Sequence, residues 1–293
     1  MTLFFDAEGS PPSVAKGQDE GQPVDDQPAE SQPVEEQQAV TRLKLVVAYD
    51  GTDFHGFAAQ DGVRTVAGTL TDALEKVLRT SREELELACA GRTDAGVHAW
   101  GQVVSVRAPE DVDSDKLRHA LNNITGPEIV VRACDVADPS FDARHSAQWR
   151  RYRYTIVNRP DPDPFLARYA WWVPKPLDIA RLRLAADPFV GEHDFAAFCR
   201  KGPPGSTTKR TVLDSHWSED TGRGDDVLVY EVRAKAFCWQ MVRSVVGTIV
   251  DAAQGRLRPG DIMQILRADD RQAAGRLAPA HGLCLWDVGY PEL

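Results

Sequence analysis

The stretch CAGRTDAGVHAWGQVVSV, residues 89–106, changes texture partway along. From Gly101 onward it holds small and β-branched residues in the pattern of a strand. Before that, Arg92, Asp94 and His98 are crowded around Gly91 and Gly96. The residues just upstream, ELELACAG, also read as a strand, so the crowded segment becomes a loop between two strands. Glycine permits unusual backbone angles and close approach of a ligand. Reactive groups concentrate on loops that rigid strands hold in place. Asp94 is therefore a candidate reactive carboxylate, and Arg92 either braces the turn or contacts phosphate. An ordinary turn capped by Thr93 or Asp94 has the same spacing. A metal site through Asp94 and His98 lacks an evident third ligand nearby.

Working outward, TRLKLVVAYDGT gives a strand over Leu43–Tyr49 that ends at the turn signal Asp50-Gly51. Val66, Leu70, Leu74, Val77 and Leu78 recur at helical spacing. DSDKLRHALNNI reads as a short helix capped near Asp113, and PEIVVRACDV as a strand. Beyond Arg150 come a strand in RRYRYTIVN, a helix within LDIARLRLAADPFVGEHDF and two paired strands, TVLDSHWSE and VLVYEVRAKAF. CWQMVRSVVGTIVDAAQG follows as an amphipathic helix with Gly255 past its end, and LCLWDVGY as a last strand. Strands joined by short connections, with helices between, predict an α+β fold with a mainly antiparallel sheet and helices on one face.

The 293 residues carry a net charge of −10, which at first sight excludes a polyanionic partner. The distribution reverses that. Residues 1–40 hold nine acids and one base, Lys16, which leaves only −2 for the remainder. The body can therefore present a local basic surface. Residues 1–40, rich in Gln, Pro, Glu, Asp and Ser, read as a disordered acidic tail that cannot bury enough apolar area to offset its ordering entropy. No apolar run approaches the roughly 20 residues of a membrane span, and the N-terminus lacks the basic region of a signal peptide. A cytoplasmic location and no membrane partner are the expectations. The five cysteines are scattered without a CxxC pair, so reduced thiols are expected rather than disulfides or a zinc site.

Three further stretches carry chemistry. In RRYRY, alternation puts Arg151 and Arg153 on one strand face and Tyr152 and Tyr154 on the other. Such interleaving suits RNA, with tyrosine on an unpaired base and arginine on phosphate. It fits equally an edge strand with tyrosines in the core. Arg243 lies at the edge of the apolar stripe Met241, Val242, Val245, Val246, Ile249 and Val250, one turn before Gly247, a place suited to pairing with a carboxylate and equally to simple exposure to solvent. The loop CRKGPPGSTTKRTV carries Arg200, Lys201, Lys209 and Arg210, which suit an RNA backbone and fit a merely solvated loop nearly as well.

Together these stretches resemble the TruA-type tRNA pseudouridine synthases. CAGRTDAGVHAWGQV is similar almost letter for letter to that family's active-site segment. YDGTDFHGF, FDARHSAQWRRYRYTIVN, AFCWQMVRSVVG and GLCLWDVGYP follow in family order across residues 43–291. The resemblance implies two ferredoxin-like, RRM-like domains, 41–148 and 149–293, which share one sheet around a central cleft. It implies an isomerase that converts uridine to pseudouridine in the anticodon stem-loop of tRNA, at positions 38–40, without cofactor or metal, and as a homodimer. By the same resemblance Asp94 is the catalytic carboxylate, Tyr152 contacts the target base, Arg243 pairs with Asp94, and Arg92 helps flip the base and hold backbone. The sequence departs from the family pattern at Phe57, Ala58, Ala67 and Leu213, which bears on local packing and on tRNA contacts. Two other readings compete: a tRNA-binding protein without catalysis, and a metal-dependent hydrolase using Asp94, His98 and His145.

Overall fold

The computed structural model describes residues 39–202, 205–222, 226–268 and 270–291. The acidic segment 1–40 lies almost wholly outside them. The remainder packs as one compact unit. It begins with strand β1 (Val40–Tyr49), helix α1 (Val66–Leu78) and a helical turn α2 (Arg82–Leu85). Strands β2 (Ala88–Cys89) and β3 (His98–Pro109), helix α3 (Ser114–Thr125) and strand β4 (Ile129–Ala137) complete the first half. The second half holds β5 (Trp149–Val157), β6 (Trp171–Trp172), α4 (Ile179–Ala186), β7 (Gly191–Asp194), β8 (Lys209–Glu219), β9 (Val227–Ala234), α5 (Met241–Ala253), α6 (Ile262–Ala268) and β10 (Leu283–Gly289).

The strands form one sheet in the order β4-β1-β3-β10-β5-β9-β8-β7, with β2 on β3 and β6 on β5. Its pairs are antiparallel except for β10 with β3 and β6 with β5. The sheet is thus mixed and mostly antiparallel, as the pattern of short connections predicts. The last strand of the chain, β10, joins the halves: Cys284 and Leu285 pair with His98 and Ala99, while Leu283–Gly289 runs against β5. One cluster of buried side chains extends from Leu43 in β1 to Leu285 in β10.

The helices start where their caps place them. The Thr65 side chain accepts from Gly68 N–H ahead of α1, and Asp113 accepts from Lys116 N–H ahead of α3. Two expectations need correction. ELELACAG is strand only at Ala88–Cys89, because Ser81 and Glu84 form a capping box that holds the preceding residues as a helical turn. The 241–253 helix is not amphipathic in its environment: every residue of α5 except Arg243 is buried. The segment 271–278 covers its polar side. Arg271 donates to Ser244 Oγ, Gly275 N–H donates to Thr248 Oγ1, and Arg276 binds Asp251. Gly247 makes that cover possible, since a Cβ there would lie 1.7 Å from Arg276 O.

Cysteine usage is also corrected. Cys199 and Cys238 are bonded to each other, with Cα atoms 5.8 Å apart, a normal separation for a bridged pair. Their distance in sequence, 39 residues, hid the juxtaposition that β7–β9 create. Cys89, Cys134 and Cys284 are free. Among the described residues, no helix is long and apolar enough to cross a membrane.

Candidate active site

A cavity of about 1020 Å³ opens beside the loop before β3 and the start of α5. Asp94, Arg92, Tyr152 and Arg243 all line it. Four residues scattered over the sequence are thus brought together.

The loop that carries Asp94 is tied to its surroundings mainly through its backbone. The buried Gln102 side chain donates to Gly91 O at 2.6 Å and accepts from Gly91 N–H at 3.4 Å. The Tyr49 hydroxyl and Thr93 Oγ1 are 2.7 Å apart, and Phe57 N–H donates to Thr93 O. The turn after Asp94 closes with Val97 N–H on Asp94 O, and Gly96 sits at φ 75°, which disfavours a side chain. At the strand entrance, His98 Nδ1 accepts from Gly51 N–H at 3.1 Å, and its Nε2 lies 3.0 and 3.1 Å from the carbonyls of Arg168 and His281. Burial lowers the His98 pKa against the pull of Asp50, so the ring is neutral, with its proton on Nε2. With both ring nitrogens engaged, His98 is a structural keystone, and the metal reading through Asp94, His98 and His145 loses a ligand.

Asp94 Oδ2 accepts from the Arg243 guanidinium at 3.2 Å. Arg243 Nε also donates to Ala278 O at 2.8 Å, which aims the guanidinium. Its side chain is 14% exposed and that of Asp94 36%, so the pair sits at a cavity wall rather than in a sealed core. Arg243 is the residue of α5 left facing open space, while its helix neighbours anchor it in the core. Tyr152 is buried at 7% exposure, and its ring meets Phe237 edge-on at 5.0 Å. Burial, with Asp94 nearby, raises its hydroxyl pKa strongly, so the group stays protonated. A Cβ on Gly91 would stand 3.7 Å from that hydroxyl, which puts Tyr152 against the Asp94 loop. Tyr154, on the same strand face, lies wholly in the core and donates to Pro279 O. Arg92 is exposed and makes no side-chain hydrogen bond or ion pair among the described residues.

The sequence reading missed Arg150, the first residue of RRYRY. It is 9% exposed and donates five hydrogen bonds, all to backbone carbonyls: two to Ala90 and one each to Arg144, Ala147 and Lys235. It has no carboxylate partner, and burial lowers its pKa. One guanidinium therefore ties the leg of the Asp94 loop to the 144–147 turn and to the end of β9. The only sequence signal was position: an arginine at an inward-facing strand site, in register with Tyr152 and Tyr154. Arg144, Arg200 and Arg210 also line the cavity. The family departures at Phe57, Ala58 and Ala67 lie on its wall, whereas Leu213 is 40% exposed on β8.

A protonated hydroxyl, a carboxylate held by a guanidinium, and spare cations around one opening suit a polyanionic substrate with a reacting base or sugar. A family model described as tRNA pseudouridine synthase matches residues 45–146 and 185–291. The chain is 42% identical over 269 residues to a tRNA pseudouridine synthase A of Leifsonia xyli subsp. xyli, which covers 86% of this chain and 92% of that one. It is 38% identical over 249 residues to the protein of that name from Bacillus subtilis, covering 85% and 99%. For the Frankia casuarinae protein of the same name the identity is 44% over 255 residues, covering 86% and 90%. With the family motifs converging on one cavity and relatives matched over nearly their whole length, the chain belongs to the tRNA pseudouridine synthase family.

Proposed function

We propose that this isomerase acts on uridines 38–40 of the tRNA anticodon stem-loop, with Asp94 as its catalytic carboxylate and no cofactor. The C1′–N1 bond breaks, the base turns, and a C1′–C5 bond forms. C5 gives up its proton and N1 gains one, so the reaction balances without a redox partner. Asp94 serves as nucleophile or as base toward a flipped-out nucleoside, and the hydrogen bond from Arg243 aims it. Tyr152 presents a ring and a protonated hydroxyl to the target base. Arg92 handles the backbone of the flipped nucleotide, and Arg144 and Arg200 meet phosphates nearby. The observation that carries this reading is the Asp94–Arg243 hydrogen bond at the cavity wall, made by two residues 149 positions apart.

The same reading takes the two halves as ferredoxin-like domains, 41–148 and 149–293, that share the sheet through β3 and β10, with the cavity as the cleft between them. It takes the working enzyme as a cytoplasmic homodimer. Sedimentation would test the dimer. The activity is tested by tritium release from tRNA labelled at uridine C5, followed by base-resolved mapping of pseudouridine. Release matched by new pseudouridine at positions 38–40, indifferent to chelator, is the expected result. Release with no pseudouridine there, or loss of activity with chelator, would overturn it.

A further inference from the structure

We propose that Trp239 and Arg200 form a docking subsite for the nucleotide next to the target uridine, the indole stacking on its base and the guanidinium meeting its phosphate. The proposal rests on the reading of tRNA as substrate. Trp239 lines the same cavity as Asp94, Tyr152 and Arg243 and lies four positions before Arg243. It is 46% exposed, whereas Phe57 and Tyr152 on the same walls are buried. Its ring packs on no other ring or cation among the described residues. The Arg200 side chain is likewise exposed and without a partner among them.

A single exposed tryptophan is unremarkable on a protein surface. What separates this one is how firmly its backbone is held. Arg200 N–H donates to Trp239 O at 2.9 Å. Arg200 and Trp239 each directly follow one member of the bonded pair Cys199–Cys238. The two side chains therefore leave adjacent, cross-tied backbones. The next residue, Gln240, adopts φ 63°, a left-handed conformation that a non-glycine residue rarely takes and that tends to mark functional sites. Together these place an aromatic residue and a cationic one on tied backbones at the wall of the cavity that holds Asp94.

The chemistry of base flipping gives such a pair a use. Extruding a nucleotide removes a stacking partner from its neighbours. An indole at the cavity wall replaces that partner, and it does so only once the target has left the stack. A nucleobase fits this place better than a general polyanion, because stacking needs a π-face that phosphate lacks.

The experiment uses the full chain with an anticodon stem-loop RNA tritiated at uridine C5, under single-turnover conditions. Trp239→Ala should raise the RNA concentration giving half-maximal rate by roughly 5- to 150-fold, the range of one base–aromatic stack, and change the maximal rate far less. Trp239→Phe should recover most of the loss. An abasic nucleotide should replace each neighbour of the target in turn. On one side its effect should not multiply with that of Trp239→Ala, since both remove the same stack. Arg200→Ala should flatten the salt dependence of binding by about one phosphate. Unchanged kinetics in Trp239→Ala, a loss confined to the maximal rate, or effects that multiply at both neighbours would overturn the proposal. No tritium release by the wild-type chain would instead overturn the reading beneath it.

Discussion

The two sides of the cavity are held in different ways. On the side of Asp94, backbone groups are pinned by Gln102, Phe57, Arg150 and His98, and most of these ties are buried. On the side of residues 199–210 the backbone is tied as well, by the Cys199–Cys238 pair and by the pairing of Lys209 and Arg210 with Asp194 and His193, but the cationic side chains are left freer. Arg200 is fixed through its backbone, Thr208 through Asp194, and the side chains of Arg200 and Lys201 meet no partner among the described residues. The difference fits the roles proposed for each side. A reacting carboxylate loses much of its rate when misplaced by about 1 Å. A cation that attracts phosphate works across a Debye length of about 10 Å at 0.1 M salt and needs no such placement. Under the proposed function, chemistry belongs to the pinned side and grip to the side with the unpaired cations.

The largest expected effect on this contrast comes from Arg243→Ala. Turnover should fall about 10²–10³-fold, the cost of removing one preorganised electrostatic partner, while tRNA affinity stays within a few-fold. Arg243→Lys keeps the charge without the planar fork and should recover part of the rate. Single-turnover tritium release beside filter binding measures both, and equal losses in rate and affinity would break the contrast. Next comes Arg150→Met, which leaves the carbonyls of Ala90, Arg144, Ala147 and Lys235 without that donor. We expect destabilisation of about 3 kcal/mol or more in urea unfolding and a loss of turnover larger than the loss of affinity. The double variant Arg200→Ala/Lys201→Ala should do the reverse. The salt slope of binding should flatten by about 1.4, two single-stranded phosphate contacts, with a smaller effect on the saturated rate.

The smallest effect concerns pH. Burial holds the His98 pKa below its ordinary value, so the unfolded chain binds a proton that the folded chain does not. The sign follows: this contribution to stability is complete above about pH 6.5 and declines as pH falls below it. Thermal melts from pH 7 to pH 5 should show the gap between wild type and His98→Gln narrowing with acid. A constant gap would remove His98 from the set of pinning residues.

Much of this was legible in the sequence because local chemistry and tertiary placement agree. Asp113 caps the helix it was expected to cap, and the alternation in RRYRY gives the faces that β5 presents. Asp94, Tyr152 and Arg243 were singled out through the motif resemblance, and the structure has Arg243 donating to Asp94 Oδ2 at 3.2 Å. What stayed hidden depends on contacts across long separations. Pairing of Cys199 with Cys238 needs the β7–β9 geometry. Burial of Ser244, Thr248 and Asp251 needs the covering segment 271–278. Arg150 looks like any strand arginine until its four carbonyl acceptors converge from three segments. The insertion of β10 between β3 and β5 is likewise a matter of topology, which periodicity does not carry.

The central claim is that the pinned side performs the reaction through Asp94. Asp94→Asn keeps the shape of the side chain but removes the nucleophile and base. Wild type and Asp94→Asn should be incubated with the same unmodified tRNA under single turnover and pseudouridine mapped at base resolution, with binding measured in parallel. The account predicts full conversion by wild type, none detectable by Asp94→Asn, and affinities within a few-fold of each other. Appreciable pseudouridine formation by Asp94→Asn would contradict it.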